Sequence, residues 1–248
     1  MAKMGATVGV AEIDQAPVGR PKARNASAAS TARKQGSPTR PATGRRSPEE
    51  VQARILNAAV FEFSEHSFSG ARIDKISKRA KTVDRMLYYY FGSKERLYQA
   101  VLEHVFSKLI LAQHNFVVDE DDPVNGMREL VMHSWEHYRD NPELVRLLVT
   151  ENLLRGKYFK KLGKIKLASM PLVSRVEQLL NAGMKRGVFR ADADPHQVLL
   201  TIISLGFFYL SNQYTCAAWM GYTLVEDERC AAWSEHICRV VLDYLAAK

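Results

Sequence analysis

Apolar residues recur along this chain at intervals of three and four, the spacing that gathers side chains on one face of a helix. The first such stretch opens on Ser47-Pro48-Glu49-Glu50, a capping box in which the serine caps the helix, the proline fits its first turn and Glu50 can reach back. The helix it predicts runs to about His66, with Ile55, Ala59 and Phe63 along one face, and Ser67 to Gly70 breaks it. Two short helical patterns follow around a tight connection. Ile73, Ile76, Ser77 and Ala80 form one buried stripe, and Val83, Leu87 and Phe91, every fourth residue, form the next. Tyr98 to Asn115 then carries Val101, Leu102, Val105, Leu109 and Ala112 at helical spacing. After the acidic loop Asp119 to Asp122, Pro123 leads a helix to about Arg139, and Asn141-Pro142 restarts one through Leu154. Further helices are expected near Pro171, ending by Gly187, and from Asp194-Pro195. The last, about Glu228 to Ala246, offers Ala232, Ile237, Val240, Val241, Tyr244 and Leu245 as its apolar face. Neither βαβ alternation nor strand-turn-strand runs occur, so the class is all-α, with a three-helix unit over 47–98 and a larger helical domain over 99–248.

Composition and charge add a third segment to this picture. At 46% hydrophobic over 248 residues the chain can fill one sizeable core or two smaller ones. Nine Lys or Arg fall within residues 1–46 against only Glu12 and Asp14, so nearly all of the net charge of +8 sits there. That stretch has almost no large apolar side chain to offset its ordering entropy and is expected to be a disordered basic tail. Such an arm would add salt-sensitive phosphate attraction beside a DNA-binding domain, or serve only as a solubilising leader. Cys216, Cys230 and Cys238 are an odd count without a close CxxC pair, which encodes neither a disulfide framework nor a structural zinc site. With no apolar segment behind a basic one at the start of the chain, a reducing, cytoplasmic location fits best.

The chemistry concentrates at Met86 to Leu97, MLYYYFGSKERL. With Leu87 and Phe91 inward and about 100° of rotation per residue, Arg85 and Tyr89 point away from the core, Tyr88 and Met86 lie on the flanks, and Tyr90 nears the core edge. Two short helices behind a third, the last presenting Arg and Tyr outward, match the helix-turn-helix, whose second helix enters the major groove. The run from Ile76-Ser-Lys-Arg-Ala80 to Leu87-Tyr-Tyr-Tyr-Phe-Gly-Ser-Lys-Glu95 resembles the N-terminal DNA-binding domain of the tetracycline-repressor (TetR) family over about Arg54 to Leu102. Where that family has Gly-Val-Ser in the turn, this chain has Lys81-Thr82-Val83, which removes a glycine tolerant of positive φ and shifts capping onto Thr82 or Asp84. Asp84 stands where a basic or amide side chain is common. A carboxylate there is repulsive to phosphate unless it accepts from a cytosine amino group. Expected contacts are Arg85 with guanine and Met86 with a thymine methyl, with Tyr88, Tyr89, Tyr90 and Lys94, and Arg72, Lys81 and Thr82 at helix starts, on phosphate.

NPELVRLLVTEN at Asn141 and FFYLSNQYT at Phe207 resemble regulatory domains of the same family. The resemblance implies a helical pocket for an unidentified small-molecule effector, a homodimer made by the last two helices, and a repressor on a palindromic operator of double-stranded DNA, with no cofactor. Trp135, Tyr138, Glu151, Asn152, Phe208, Tyr209 and Asn212 are candidates for the pocket, because they set polar or aromatic groups within apolar helical runs. Each could equally be a satisfied polar group in the core or dimer seam. Pro195 to Val225 contains no Lys, Arg, Asp or Glu and is long enough to span a bilayer, but Ser211-Asn212-Gln213 interrupt it and no basic anchor flanks it, so no membrane partner is expected. His133-Ser-Trp-Glu-His137 fits H-x-x-E-H, a pattern that can hold zinc with glutamate as base, and makes a metal-dependent hydrolase the alternative function. Lacking a third ligand, His133, Trp135, His137 and Tyr138 are instead expected to divide between core packing and pocket lining, and no catalytic residue is assigned.

Overall fold

The computed structural model describes residues 47–162 and 171–247; the basic stretch 1–46, and with it the expected tail, lies outside the described residues. Among the described residues there are ten helices: α1 Pro48–Gly70, α2 Ile73–Arg79, α3 Asp84–Phe91, α4 Lys94–Asn115, α5 Pro123–Asp140, α6 Pro142–Leu153, α7 Pro171–Lys185, α8 Pro195–Ser211, α9 Gln213–Met220 and α10 Asp227–Leu245. Polar caps and first-turn prolines set most of their starts. Ser47 accepts from the Glu50 amide at 3.2 Å, Ser93 from Arg96 at 3.2 Å, Asp122 from Asn125 at 3.1 Å and Asp194 from Gln197 at 2.8 Å. Each satisfies an amide that a helix end otherwise leaves unpaired. Within α1 the backbone leaves helical geometry at Ser67 (φ 56°), inside the segment where the sequence breaks.

Helix α5 runs through the middle of the larger part. Its Met127, Leu130, Val131 and Trp135 are buried and its neighbours are α6, α7, α8 and α10. Helix α1 packs on α4 and α6, so the first three helices share one core with the rest. After α7 the chain pairs with the C-terminal end of α10, with Arg190 donating to the Leu245 carbonyl at 2.8 Å and Ala247 to Val188 at 3.1 Å.

The interruption expected at Ser211-Asn212-Gln213 is present, and one expectation is corrected here. The charge-free stretch is two helices, because Asn212 breaks the run and turns its side-chain amide onto the Phe208 carbonyl at 3.2 Å; α9 then stops at Gly221 (φ 79°). No helix among the described residues is long and apolar enough to cross a membrane. Val83 does not face inward: it precedes α3 in extended conformation and is 63% exposed, while Leu87 alone of the three is fully buried and Phe91 is half-buried.

Candidate nucleic-acid interface and effector cavity

The turn between α2 and α3 is built by backbone hydrogen bonds. Thr82 donates to the Ser77 carbonyl at 3.0 Å and Lys81 to Lys78 at 3.2 Å, the double closure of a Schellman motif, which requires a left-handed residue between them. Lys81 supplies it at φ 53°, in the place the family gives to glycine. The capping expected from Thr82 or Asp84 is absent among the described residues: Val83 occupies the cap and has no side chain for it. Asp84 is drawn to α2, where its carboxylate accepts a short hydrogen bond from the Ser77 hydroxyl. It therefore joins the two helices across the turn and does not project toward the reading face.

From that face Arg85 is exposed without an ion-pair partner among the described residues, Tyr88 is half-exposed and Tyr89 is 76% exposed. Tyr90 lies edge-on to Tyr89, ring centroids 5.1 Å apart, and packs against the core; so does Met86, which is half-buried and not a free flank. Lys81 is exposed and Thr82 half-buried. Arg72 caps nothing with its side chain: the guanidinium forks onto Asp74 at 3.0 Å, and its backbone amide donates to the buried Glu62 carboxylate at 3.1 Å. Lys94 departs from the expected free cation. Its ammonium donates to the Ala71 carbonyl at 2.6 Å and lies 5.1 Å from the Phe68 ring centre, which ties the start of α4 to the α1–α2 connection. Lys75, Lys78 and Arg79, which the sequence pattern left unassigned, line a basic groove with Arg72 and His66 beside α1, and Arg79 stacks on Phe61 at 3.5 Å. Their signal was available: all three occupy the outer arc of α2, opposite Ile76 and Ser77.

In the larger part, a small cavity of about 20 Å³ lies between α4, α5, α7 and α8, lined by Gln113, His133, Ser134, His137 and Tyr138 with apolar Leu109, Leu172 and Ile203. The His133 Nε2 is buried there with no partner among the described residues. Burial, reinforced by His133, holds His137 below the ordinary imidazole value, and burial pushes the Tyr138 phenol up to about 12. Tyr138 also forms one wall of an open cleft of about 670 Å³ between α1, α6 and the α8–α9 junction.

Of the seven expected pocket residues, Tyr138 lines this small cavity, and Phe208 and Tyr209 line another hollow of about 300 Å³ with Met220, Tyr222 and Trp233. Trp135 is buried edge-on against Tyr209, which stacks on Trp233 and donates to the Leu224 carbonyl at 2.7 Å. Asn212 serves the helix break, Asn152 is exposed and bonded to the Leu148 carbonyl, and Phe208 is 58% exposed. Glu151 is buried at the far end of α6, where it accepts from the Tyr158 and Phe159 amides. His133 and His137, expected to divide between core packing and pocket lining, both line this cavity; Gln113 and Ser134 are the residues missed. Among the described residues no group of three or more His, Cys, Asp or Glu could hold a metal ion, and the three cysteines are free and buried.

Residues 55–101 match the family model for bacterial regulatory proteins of the tetR family, and residues 123–241 match the tetracyclin repressor-like C-terminal domain. The HTH-type transcriptional repressor NicS of Pseudomonas putida is 38% identical over 202 residues, covering 81% of this chain and 95% of that protein. The chain belongs to the TetR family. The HTH-type transcriptional regulator RutR of Escherichia coli is 28% identical over 206 residues, 81% of this chain and 94% of its own. Among solved structures, the transcriptional regulator SCO4942 of Streptomyces coelicolor superposes with a TM-score of 0.58 at 25% identity, covering 79% of this chain and 98% of that one. A TetR-family chain is a helix-turn-helix regulator of transcription, not an enzyme, and the hydrolase alternative is withdrawn.

Proposed function

We propose that this TetR-family regulator is a homodimeric repressor that binds a palindromic operator and releases it when a small effector occupies the regulatory part. The observation that carries the reading is the outer face of α3, where Arg85, Tyr88 and Tyr89 stand in solvent while Leu87 anchors the helix beneath them. Arg85 reads guanine, and the outer edge of Met86 meets a thymine methyl. Tyr88, Tyr89 and Tyr90 with Lys81, Thr82 and Arg72 bind phosphate oxygens and set the register, helped by Lys75, Lys78 and Arg79. Lys94 holds α4 in place behind them.

Dimerisation is supported by the uncharged run over α8 and α9 and by exposed apolar side chains on α8 and α10, Leu200, Phe208, Val240 and Tyr244, which a soluble surface would not otherwise leave open. Effector control is supported by the small cavity, whose walls offer hydrogen-bonding groups and an unpartnered imidazole nitrogen within apolar surroundings. At its present volume the cavity takes about one water, so a ligand must part α5 from α7 or α8 to enter. The relative NicS, a transcriptional repressor by name, supports repression, and a DNA-binding role supports a cytoplasmic location. The test is competition binding to a selected operator. Arg85→Ala should cost about 1–3 kcal/mol at one base position and leave non-specific binding intact; unchanged discrimination contradicts the base-reading role.

A further inference from the structure

Helix α6 meets the DNA-reading unit directly. Arg146 pairs with Glu65, and the Thr150 hydroxyl lies 3.4 Å from that of Ser67, at the kink of α1. The next residue, Glu151, is only 3% exposed. Its Oε2 accepts from the Tyr158 amide at 3.1 Å and the Phe159 amide at 2.8 Å, which folds the turn after α6 back onto the protein. That turn brings Tyr158 into a cluster with Phe68 of α1 (4.9 Å) and Tyr98 of α4 (5.2 Å), and Tyr98 meets Phe63 at 5.0 Å. Phe159 reaches Phe106 of α4 at 4.8 Å.

The second oxygen of Glu151 and the Tyr98 hydroxyl are both buried and have only each other to answer them. They are neighbours: burial first, and then the charge of Glu151, drive the Tyr98 phenol far above its usual range. A buried carboxylate oxygen left unpaired is costly, and the Tyr98 phenol is the group placed to donate to Oε1. One carboxylate thus joins α6, its following turn and the start of α4, the helix that leaves the recognition helix.

We infer that Glu151 is a positioning residue for DNA recognition, fixing the angle at which α4 and α6 carry the reading helices. The inference rests on the proposed binding of a two-fold operator. A purely structural residue affects binding to all operators alike, whereas a positioning residue alters the preferred separation of half-sites. The experiment uses the full chain, an operator selected by the wild type, and the same operator with one base pair added to or removed from its centre. Glu151→Gln should weaken binding to the selected operator about tenfold, the scale of one disturbed charge-assisted hydrogen bond, and should flatten the preference among spacings. Tyr98→Phe, which leaves both backbone bonds to Glu151 in place, should flatten it less and decides the matter alone if Glu151→Gln does not fold. Retention of the wild-type spacing preference overturns the inference, whether affinity is unchanged or uniformly reduced. If the wild type selects no operator, the DNA-binding reading has failed separately. The inference, which rests on that reading, then falls with it.

Discussion

Lys81 sits in left-handed backbone at φ 53° because the hydrogen bonds on either side of it demand that conformation. Only glycine enters it without steric cost, so Lys81→Gly should stabilise the protein by about 1 kcal/mol, a rise in Tm of roughly 2–4 °C for a chain of this size. If Lys81 touches phosphate, the same change makes the salt dependence of DNA binding shallower. Calorimetry and a salt titration check the two halves separately. Val83→Ser should restore a side-chain cap to α3 and add about 1 kcal/mol, read as a raised denaturation midpoint. His137 gives a pH test with a definite sign. Its folded pKa lies below the ordinary 6.5, so below that pH the unfolded chain binds more protons and stability falls as acid is added. His137→Gln should reduce that loss in urea melts taken below pH 6.5; equal slopes in both proteins contradict the assignment. The departure at Lys81 was legible in the sequence as a missing glycine. The role of Asp84 was not, since its carboxylate answers a serine seven residues earlier that only the folded turn brings near.

At the scale of the helices, the starts were readable because caps and prolines act locally, within three or four residues. The break at Asn212 was readable as an interruption by Ser211-Asn212-Gln213, but not as the start of a second helix. Apolar spacing continues through it, and the deciding contact is a side-chain amide returning to the preceding turn. Pocket residues were least legible for a similar reason. Trp135 and Tyr138 are three residues apart on α5 and alike in sequence terms, yet one packs on Tyr209 and the other walls the cavity, according to where α7 and α8 cross. The join between α7 and the following segment offers a test of packing. A Cβ at Gly183 would lie 2.0 Å from the Phe189 ring. Gly183→Ala should therefore displace that ring and cost about 1–3 kcal/mol, measured by chemical denaturation, and a neutral result contradicts the close approach.

For the whole molecule, binding a two-fold operator requires two copies joined through α8 and α10 so that two recognition helices face one side of the DNA. Leu200→Arg, which puts a charge on the exposed apolar face without disturbing the core, should yield monomers in analytical ultracentrifugation and abolish operator binding. A variant that remains dimeric moves the interface elsewhere. The most direct test of the central claim is selection of binding sites from random double-stranded DNA by the purified full-length protein. The account predicts an inverted repeat whose half-sites are centred about 34–36 Å apart, or a multiple of that distance, with a guanine whose preference disappears in Arg85→Ala. Enrichment of no sequence, or of a single unrepeated site insensitive to Arg85, would contradict it.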